Sequence, residues 1–181
     1  MAPLDEEIAE WYVMRDLKRA NAKLPAYKQL EEAGLEVFTP CRWRLVVKCG
    51  KRIREVVPVI QDLLFVKEVR SKLDRYVERI PTLQYRYGRG QSFRNPMTVP
   101  AREMERFIQV IRASLSPVYY QPDEITPAMY GRKIHIVGGP LNGCEGYLIT
   151  HRGSKRKRLL VELHGLLAVG VEVEPEYIRF C

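Results

Sequence analysis

Short apolar runs separated by turn-forming residues occupy the first half of the chain and predict β-strands. These strand-like runs lie at residues 11–14, 35–38, 42–57 and 60–69. The third run is long enough for a hairpin, and Cys49-Gly50 supplies its turn. Within it the side chains alternate between basic and apolar, so the hairpin is predicted to have one face of each kind.

Three other segments have the spacing of helices. The first begins near Asn21, a capping residue, tolerates Pro25 in its first turn and ends at Gly34. The second covers residues 71–80 and ends at Pro81, because proline cannot continue a helix. The third follows Pro100 and carries an apolar face at i, i+3, i+4 and i+7, formed by Met104, Phe107, Ile108 and Ile111.

The remainder of the chain has no further helical pattern. Three prolines and no periodicity mark residues 117–128 as a semi-stiff linker. Strand patterns follow at residues 133–136, 158–163 and 170–173. The sequence therefore predicts an α+β fold. An antiparallel sheet with flanking helices covers residues 8–116, and a small β-barrel covers residues 129–181.

Charge is unevenly distributed over these two parts. Residues 1–116 hold 22 Lys and Arg against 15 Asp and Glu, whereas residues 117–181 hold 8 against 7. The formal net charge of +8 therefore resides almost entirely in the first part. Such an imbalance indicates contact with phosphate or with acidic protein.

The residues that carry enzyme chemistry are not grouped in this chain. The four cysteines form no CxxC pair, and the three histidines lack cysteine or carboxylate partners at ligand spacing. No phosphate-binding loop, nucleophile elbow or dinucleotide fingerprint is present. The sequence predicts a non-enzymatic protein with no catalytic residue, metal or cofactor. With no apolar spanning segment or leader, we expect it to lie in the cytoplasm and not in a membrane.

The segment GRKIHIVGGPLNGCEGYL, residues 131–148, combines a strand, a glycine-rich turn and a second strand. The glycines and the proline that mark its turns are, in chain order, Gly131, Gly139, Pro140, Gly143 and Gly146. This arrangement resembles the KOW motif, the core of a small SH3-like barrel in NusG-type transcription factors and some ribosomal proteins.

The whole chain resembles the NusG family, whose members have an NGN domain followed by a KOW domain. The matching segments are the first strand at Trp11, GLEVFTP at residues 34–40, MTVPAREMERF at residues 97–107, and LLVELHG and VEVEPEYIRF near the end. The short hairpin tip KCGKR is similar to that of the operon-specific paralogues of RfaH and UpxY type.

The resemblance implies a face that binds RNA polymerase, at the clamp helices of its largest subunit. The residues assigned to it are Trp11, Tyr12, Ile60, Leu63 and Phe65. The family pattern PLFPxYVFV is PVIQDLLFV here, so Leu63 replaces an aromatic residue. Aromatic and aliphatic residues on adjacent strands otherwise form a core. Because Leu63 and Phe65 share one strand face and Leu64 and Val66 the other, we expect one pair to be exposed or to meet a partner.

Two basic segments are candidates for contact with non-template or upstream DNA. One is the hairpin, where Arg42, Arg44 and Lys48 share a face and Lys51 and Arg52 follow at the tip. A solvated edge protected by charge is its alternative. The other segment is the pair Lys18-Arg19. The run KRKR at residues 155–158 is interpreted as a solvated hairpin tip, with RNA contact as its alternative.

The function implied is that of a transcription elongation and antitermination factor acting on specific operons, such as one for surface polysaccharide. The KOW domain would meet a ribosomal protein or a termination factor. The alternative is a ribosome-associated or RNA-binding KOW protein. We also predict that the C-terminal domain is a β-barrel rather than a helical hairpin, because Gly139, Gly143 and Gly146 disfavour helix.

Overall fold

The computed structural model describes residues 8–18, 24–88, 95–150, 155–163 and 165–181. Contacts between residues divide the chain into two compact units, Met1–Pro100 and Ala101–Cys181. The division precedes the third helix, whereas the sequence predicts a linker later, over residues 117–128. Within the described residues, no helix is long and apolar enough to cross a membrane.

The described elements of the first unit are β1 (Glu10–Asp16), α1 (Ala26–Glu32), β2 (Glu36–Phe38), β3 (Cys41–Lys48), β4 (Lys51–Pro58), β5 (Leu63–Glu68), α2 (Arg70–Arg79), β6 (Leu83–Tyr85) and β7 (Thr98–Val99). Its main sheet is antiparallel with the strand order β2-β5-β1-β6, and β7 also pairs with β1. The strands β3 and β4, which follow β2 in the sequence, form a separate hairpin.

One face of this sheet forms a core with the two helices. Met14 of β1 and Leu64 of β5 are paired in register and lie in the same buried cluster as Leu30 of α1 and Leu73 of α2. The helix α1 begins at Ala26, several residues later than predicted. Pro25 is its N-cap and has an extended backbone conformation, so proline ends the preceding segment here. Asn21, the predicted cap, lies outside the described residues.

The other face of the sheet is buried as well. Leu63 and Phe65 are 2% and 0% exposed, and Leu64 and Val66 are equally buried. Of the two alternatives expected, exposure of one pair is not seen, and contact of one pair with a partner stays a prediction. Alternation assigns side chains to two faces correctly, but it cannot show whether a face is covered.

The second unit contains a helix and an antiparallel sheet with the linear order β13-β9-β10-β11-β12-β8. In hydrogen bonding the sheet is open, with β13 and β8 as its edges, so closure into the expected barrel is not seen. Its described elements are α3 (Ala101–Arg112), β8 (Val118–Tyr120), β9 (Lys133–Ile136), β10 (Glu145–Thr150), β11 (Lys157–Leu163), β12 (Leu167–Val173) and β13 (Ile178–Phe180), with short 3₁₀ helices at Pro122–Glu124, Pro127–Met129 and Pro175–Tyr177.

Two details of the second unit differ from the sequence pattern. The strand β8 lies inside the predicted linker and pairs with β12, a long-range pairing that no local period signals. The helix α3 contacts β11 and β12. Its fully buried residues are Met104, Phe107 and Val110, whereas Ile108 and Ile111 of the predicted face are only partly buried. The C-terminal part is made of strands and not of a helical hairpin, but the predicted barrel is not confirmed, because the sheet is not closed.

Candidate nucleic-acid interface

The hairpin β3–β4 is a regular two-stranded ribbon. Its strands pair residue by residue from Cys41 opposite Pro58 to Lys48 opposite Lys51. The turn residues Cys49 and Gly50 both have positive φ, 50° and 73°. Positive φ at both central positions is the geometry that matches the twist of a two-residue hairpin, so the turn holds the register of the strands.

A cleft of about 580 Å³ lies along the basic face of this hairpin. Arg42, Arg44 and Lys48 of β3 line it, as predicted for a shared face. Lys18, from the segment that follows β1, lines the same cleft. Two basic segments identified separately in the sequence therefore contribute to one site.

The helix α1 adds two residues that the sequence analysis missed, Tyr27 and Lys28, which also line the cleft. Their helix is short, and nothing in its spacing distinguishes Lys28 from an ordinary surface lysine. Only the packing of α1 near β3 reveals their position. The lysine supplies a positive charge that can contact a phosphate, and the tyrosine supplies a ring on which a base can stack.

The positive charge of the cleft is only partly neutralised. Glu55 accepts a hydrogen bond from Lys48 Nζ at 2.9 Å, and both side chains are exposed. Asp16, the other carboxylate of the lining, accepts hydrogen bonds from two backbone amides. Among the described residues, no carboxylate lies within salt-bridge distance of Lys28, Arg42 or Arg44. These three cations are available to an anionic ligand.

Two ionisable groups beside these cations, the Cys41 thiol and the Tyr27 phenol, have raised pKa values. Burial raises the pKa of the Cys41 thiol, and Glu31 contributes in the same direction. Burial likewise raises the pKa of the Tyr27 phenol, with smaller contributions from Cys41 and Glu31. Both groups are therefore neutral near pH 7, and they add no negative charge that would oppose a phosphate.

Not every predicted basic residue belongs to this cleft. Lys51 and Arg52 lie at the start of β4 and are absent from the lining, and the register puts Arg52 on the opposite face of the hairpin. Arg19 lies outside the described residues. In the second unit, Arg156 and Arg158 both form salt bridges with Glu172, at 2.8 Å and 3.7 Å. Two of the four basic residues of the KRKR run therefore pair with a carboxylate of β12.

The residues assigned to polymerase binding are not all brought together. Trp11, Leu63 and Phe65 share one face of the sheet and are buried, and Ile60 is partly buried in the turn before β5. Tyr12 lies on the opposite face. Its ring packs edge-to-face on Tyr85, and burial together with Glu10 raises its pKa to about 12. Alternation along β1 thus separates Tyr12 from Trp11, Leu63 and Phe65.

The motif at residues 131–148 requires glycine for two distinct structural reasons. A Cβ on Gly131 would lie 2.0 Å from the carbonyl oxygen of Leu148, and a Cβ on Gly146 would lie 2.2 Å from that of Leu160, so the neighbouring backbone is too close for any side chain. Gly139 and Gly143 instead have positive φ in the turn between β9 and β10. Pro140 follows Gly139 in this turn.

Metal ligands do not cluster in the described part of the chain, where no group of three or more His, Cys, Asp or Glu could hold an ion. His135 Nδ1 lies 3.5 Å from Glu145 Oε1 across paired strands, and both side chains are partly exposed. His151 and His164 lie outside the described residues.

Comparison with known proteins places the chain in a family. The family model described as "Transcription termination factor nusG" matches residues 9–108. A solved structure, described as "Domain interaction in Thermotoga maritima NusG", aligns over 94% of this chain and 96% of its own, with 15% identity and a TM-score of 0.46. No curated protein sequence matches the chain significantly. Because the family model covers more than half of it, the chain belongs to the NusG family of transcription factors.

Proposed function

We propose that this protein is a transcription elongation and antitermination factor that binds RNA polymerase and suppresses pausing or termination on specific operons. The observation that carries the proposal is the basic cleft, which lies in the part of the chain matched by the family model. A transcription factor with a positively charged cleft has an evident ligand in the nucleic acid of the transcription complex.

The cleft is proposed to hold the backbone of non-template or upstream DNA. Arg42, Arg44 and Lys28 would contact phosphates, which position a protein without reading sequence. Tyr27 on the cleft wall offers a ring on which an unpaired base can stack. Single-stranded DNA fits this combination better than a duplex, whose bases are already stacked.

The face formed by Trp11, Leu63 and Phe65 is proposed to receive the clamp helices of the largest polymerase subunit. This face is buried in the conformation described, so the contact requires that it first become accessible. One detail supports a partner here. The buried Trp11 Nε1 has no hydrogen-bond acceptor among the described residues, and an unpaired buried donor is costly. An acceptor on the partner would remove that cost.

Residues 129–181 of the second unit are proposed to act as a KOW domain, an SH3-like barrel that contacts a ribosomal protein or a termination factor. The close approach of neighbouring backbone at Gly131 and Gly146 supports this, because it explains why the motif needs glycine at those positions. The proposed domain limits remain 8–116 and 129–181.

The proposed mechanism involves binding alone. A factor that has higher affinity for the elongating conformation of polymerase than for the paused one shifts the population toward elongation. The size of the effect equals the difference between the two binding free energies. No covalent step by this protein is needed.

In vitro transcription with purified polymerase tests the proposal. On templates with a pause site and a terminator, the full-length protein should shorten the pause and increase read-through. Polymerase lacking the tips of its clamp helices should not respond. This polymerase-side deletion is preferable to Phe65→Ala, because truncating a fully buried phenylalanine costs about 3–5 kcal/mol of stability.

Two results would contradict the proposed function. One is transcription that is unchanged by the protein, with no detectable binding to polymerase. The other is co-sedimentation with ribosomal particles in place of polymerase, which would favour a ribosome-associated or RNA-binding KOW protein.

A further inference from the structure

The hairpin face opposite the basic cleft is apolar and exposed. Trp43, Leu45 and Val47 lie along β3 with 64%, 68% and 70% of their surface exposed. Val56, paired with Trp43, is 48% exposed and also borders the cleft. These neighbours form a continuous row on one side of the ribbon. A contiguous exposed apolar patch, as opposed to scattered apolar residues, is often an interaction site on a soluble protein.

Two arginines run beside this row. Arg54 is paired with Leu45, and Arg52 with Val47. The Arg54 guanidinium also lies 5.5 Å from the centre of the Trp43 ring, a cation–π contact. Glu55, the one carboxylate of the two strands, projects from the opposite face, where it pairs with Lys48. The apolar row and its cationic border contain no acid.

We propose that this surface, the Trp43 strip (Trp43, Leu45, Val47, Val56, Arg52 and Arg54), docks a protein segment with an apolar ridge bordered by carboxylates. The segment is on RNA polymerase, so the proposal rests on the proposed function. It assigns a second polymerase contact, separate from the buried face around Phe65. Such a partner covers the apolar row and pairs its carboxylates with Arg52 and Arg54.

The composition of the strip favours protein over nucleic acid. Three of its four apolar residues are aliphatic and offer no aromatic face on which a base can stack. The unpaired cations that suit phosphate are already grouped in the cleft on the other side of the ribbon. Tryptophan and arginine, the residue types of Trp43 and Arg54, are among those enriched at the energetic centres of protein interfaces.

A second copy of the chain fits the strip less well. Symmetric pairing of two strips would place four arginines at one interface with no carboxylate from either copy, and like charges oppose such a contact. An acidic partner avoids this repulsion.

If the hairpin binds DNA on one face and polymerase on the other, the two binding events are coupled. Within an elongation complex, binding of either ligand makes binding of the second intramolecular, which raises the effective concentration of that second ligand. Loss of the strip should therefore weaken binding to the whole elongation complex without altering binding to isolated DNA.

The test compares full-length variants of the two faces. Trp43→Ser with Leu45→Ser, and separately Arg54→Glu, alter the strip, whereas Arg42→Ala with Arg44→Ala alters the cleft. Affinity is measured for core RNA polymerase without nucleic acid and for a bubble DNA without polymerase. The strip variants should lose about tenfold or more in polymerase affinity and keep their DNA affinity. The cleft variant should show the reverse.

Each contrary outcome has a distinct meaning. Strip variants that bind polymerase as tightly as the unaltered protein would overturn this inference and leave the proposed function intact. Loss of DNA affinity by the strip variants would identify nucleic acid as the occupant instead. A dimer of the unaltered protein in sedimentation velocity that the strip variants dissociate would identify a second copy. If the unaltered protein does not bind polymerase at all, the proposed function fails together with the inference.

Unfolding by urea must accompany these measurements. Because Trp43 and Leu45 are mostly exposed, their replacement should change the free energy of unfolding by less than about 1 kcal/mol, so a change in polymerase affinity reports on the surface itself.

Discussion

Asp16 accepts a hydrogen bond from the backbone amide of Ala26, with 2.7 Å between Oδ2 and the nitrogen. The carboxylate is buried at the end of β1, and its other oxygen accepts from the Lys18 amide at 3.0 Å. Because the N-cap Pro25 offers no capping side chain, Asp16 caps α1 from a distant part of the chain. It thereby orients both the segment of Lys18 and the helix of Lys28 at the cleft.

Replacement of Asp16 should therefore affect both stability and DNA binding. We expect Asp16→Ala to lower the free energy of unfolding by about 1–2 kcal/mol, as for loss of a helix cap. It should also weaken binding to a bubble DNA. Removal of a negative charge alone would strengthen that binding, so a weaker affinity would identify positioning as the role of Asp16.

Asp16→Asn is the matched control. Its amide oxygen still accepts one hydrogen bond while the charge is lost, so its affinity for DNA should equal or exceed that of the unaltered protein. Urea unfolding and fluorescence anisotropy measure the two quantities. An Asp16→Ala variant as stable as the unaltered protein would show that the carboxylate is not needed as a cap.

Arg42→Ala with Arg44→Ala should lower both the affinity for bubble DNA and its dependence on salt. Each phosphate contact contributes about 0.7 to the slope of log affinity against log salt for a single strand, and about 0.9 for a duplex. Loss of two contacts should therefore reduce the slope by about 1.4 to 1.8. Titrations at several salt concentrations measure it.

Arg75→Ala with Arg79→Ala on α2 is the control for net charge. Both residues are exposed and removed from the cleft lining, and the variant loses the same charge. Its slope should stay near that of the unaltered protein. Equal slopes for the cleft variant and the α2 variant would mean that the hairpin is only a solvated edge.

The hairpin could be predicted from sequence because its information is local. Alternation places Arg42 and Trp43 on opposite faces, and Cys49-Gly50 adopts the positive φ values that close the turn. The cleft could not be predicted, because Lys28 reaches it only through the packing of α1. Burial of both faces of the first sheet could not be predicted for a similar reason. The pattern of β5 shows that both of its faces are apolar, but not that both are covered.

The grouping of Tyr12 with Trp11 shows another limit. Adjacent residues of a strand point to opposite faces, so a family motif that names both cannot place them in one cavity. β8 was missed because its three residues gain their structure from pairing with β12, across a long stretch of chain. In each case the missing information is tertiary.

The turn between β9 and β10 should tolerate alanine differently at two glycines. Gly138 and Gly143 both have positive φ, 100° and 81°, which costs a residue with a side chain roughly 1–2 kcal/mol. A Cβ on Gly143 would meet nothing within 4 Å, whereas a Cβ on Gly138 would lie 2.9 Å from the Tyr177 ring. Gly138→Ala should thus cost about 1 kcal/mol more than Gly143→Ala.

Urea unfolding of the two single variants, and of each combined with Tyr177→Ala, isolates the contact with the ring. The extra cost of Gly138→Ala should disappear when Tyr177 is truncated, and Gly143→Ala should be unaffected. Equal costs for the two glycine variants in the presence of Tyr177 would contradict the role assigned to the ring.

Stability should fall at alkaline pH because two buried tyrosines resist ionisation. Burial, with Glu10 nearby, raises the pKa of Tyr12 to about 12, and burial with the hydrogen bond to Asp74 raises the pKa of Tyr85 well above its usual value. In the unfolded chain both phenols ionise near their ordinary pKa of about 10. The stabilisation from these two neutral phenols is therefore complete below that pH and is lost as pH rises through the folded pKa values, at about 1.4 kcal/mol per pH unit for each tyrosine.

Urea unfolding at about pH 9 and about pH 11 measures the loss of unfolding free energy. Tyr12→Phe and Tyr85→Phe should each reduce that loss by the contribution of one tyrosine. Lysine side chains also titrate in this range, but they do so equally in all three proteins. A loss that is the same in the unaltered protein and in both variants would show that these phenols are not the groups responsible.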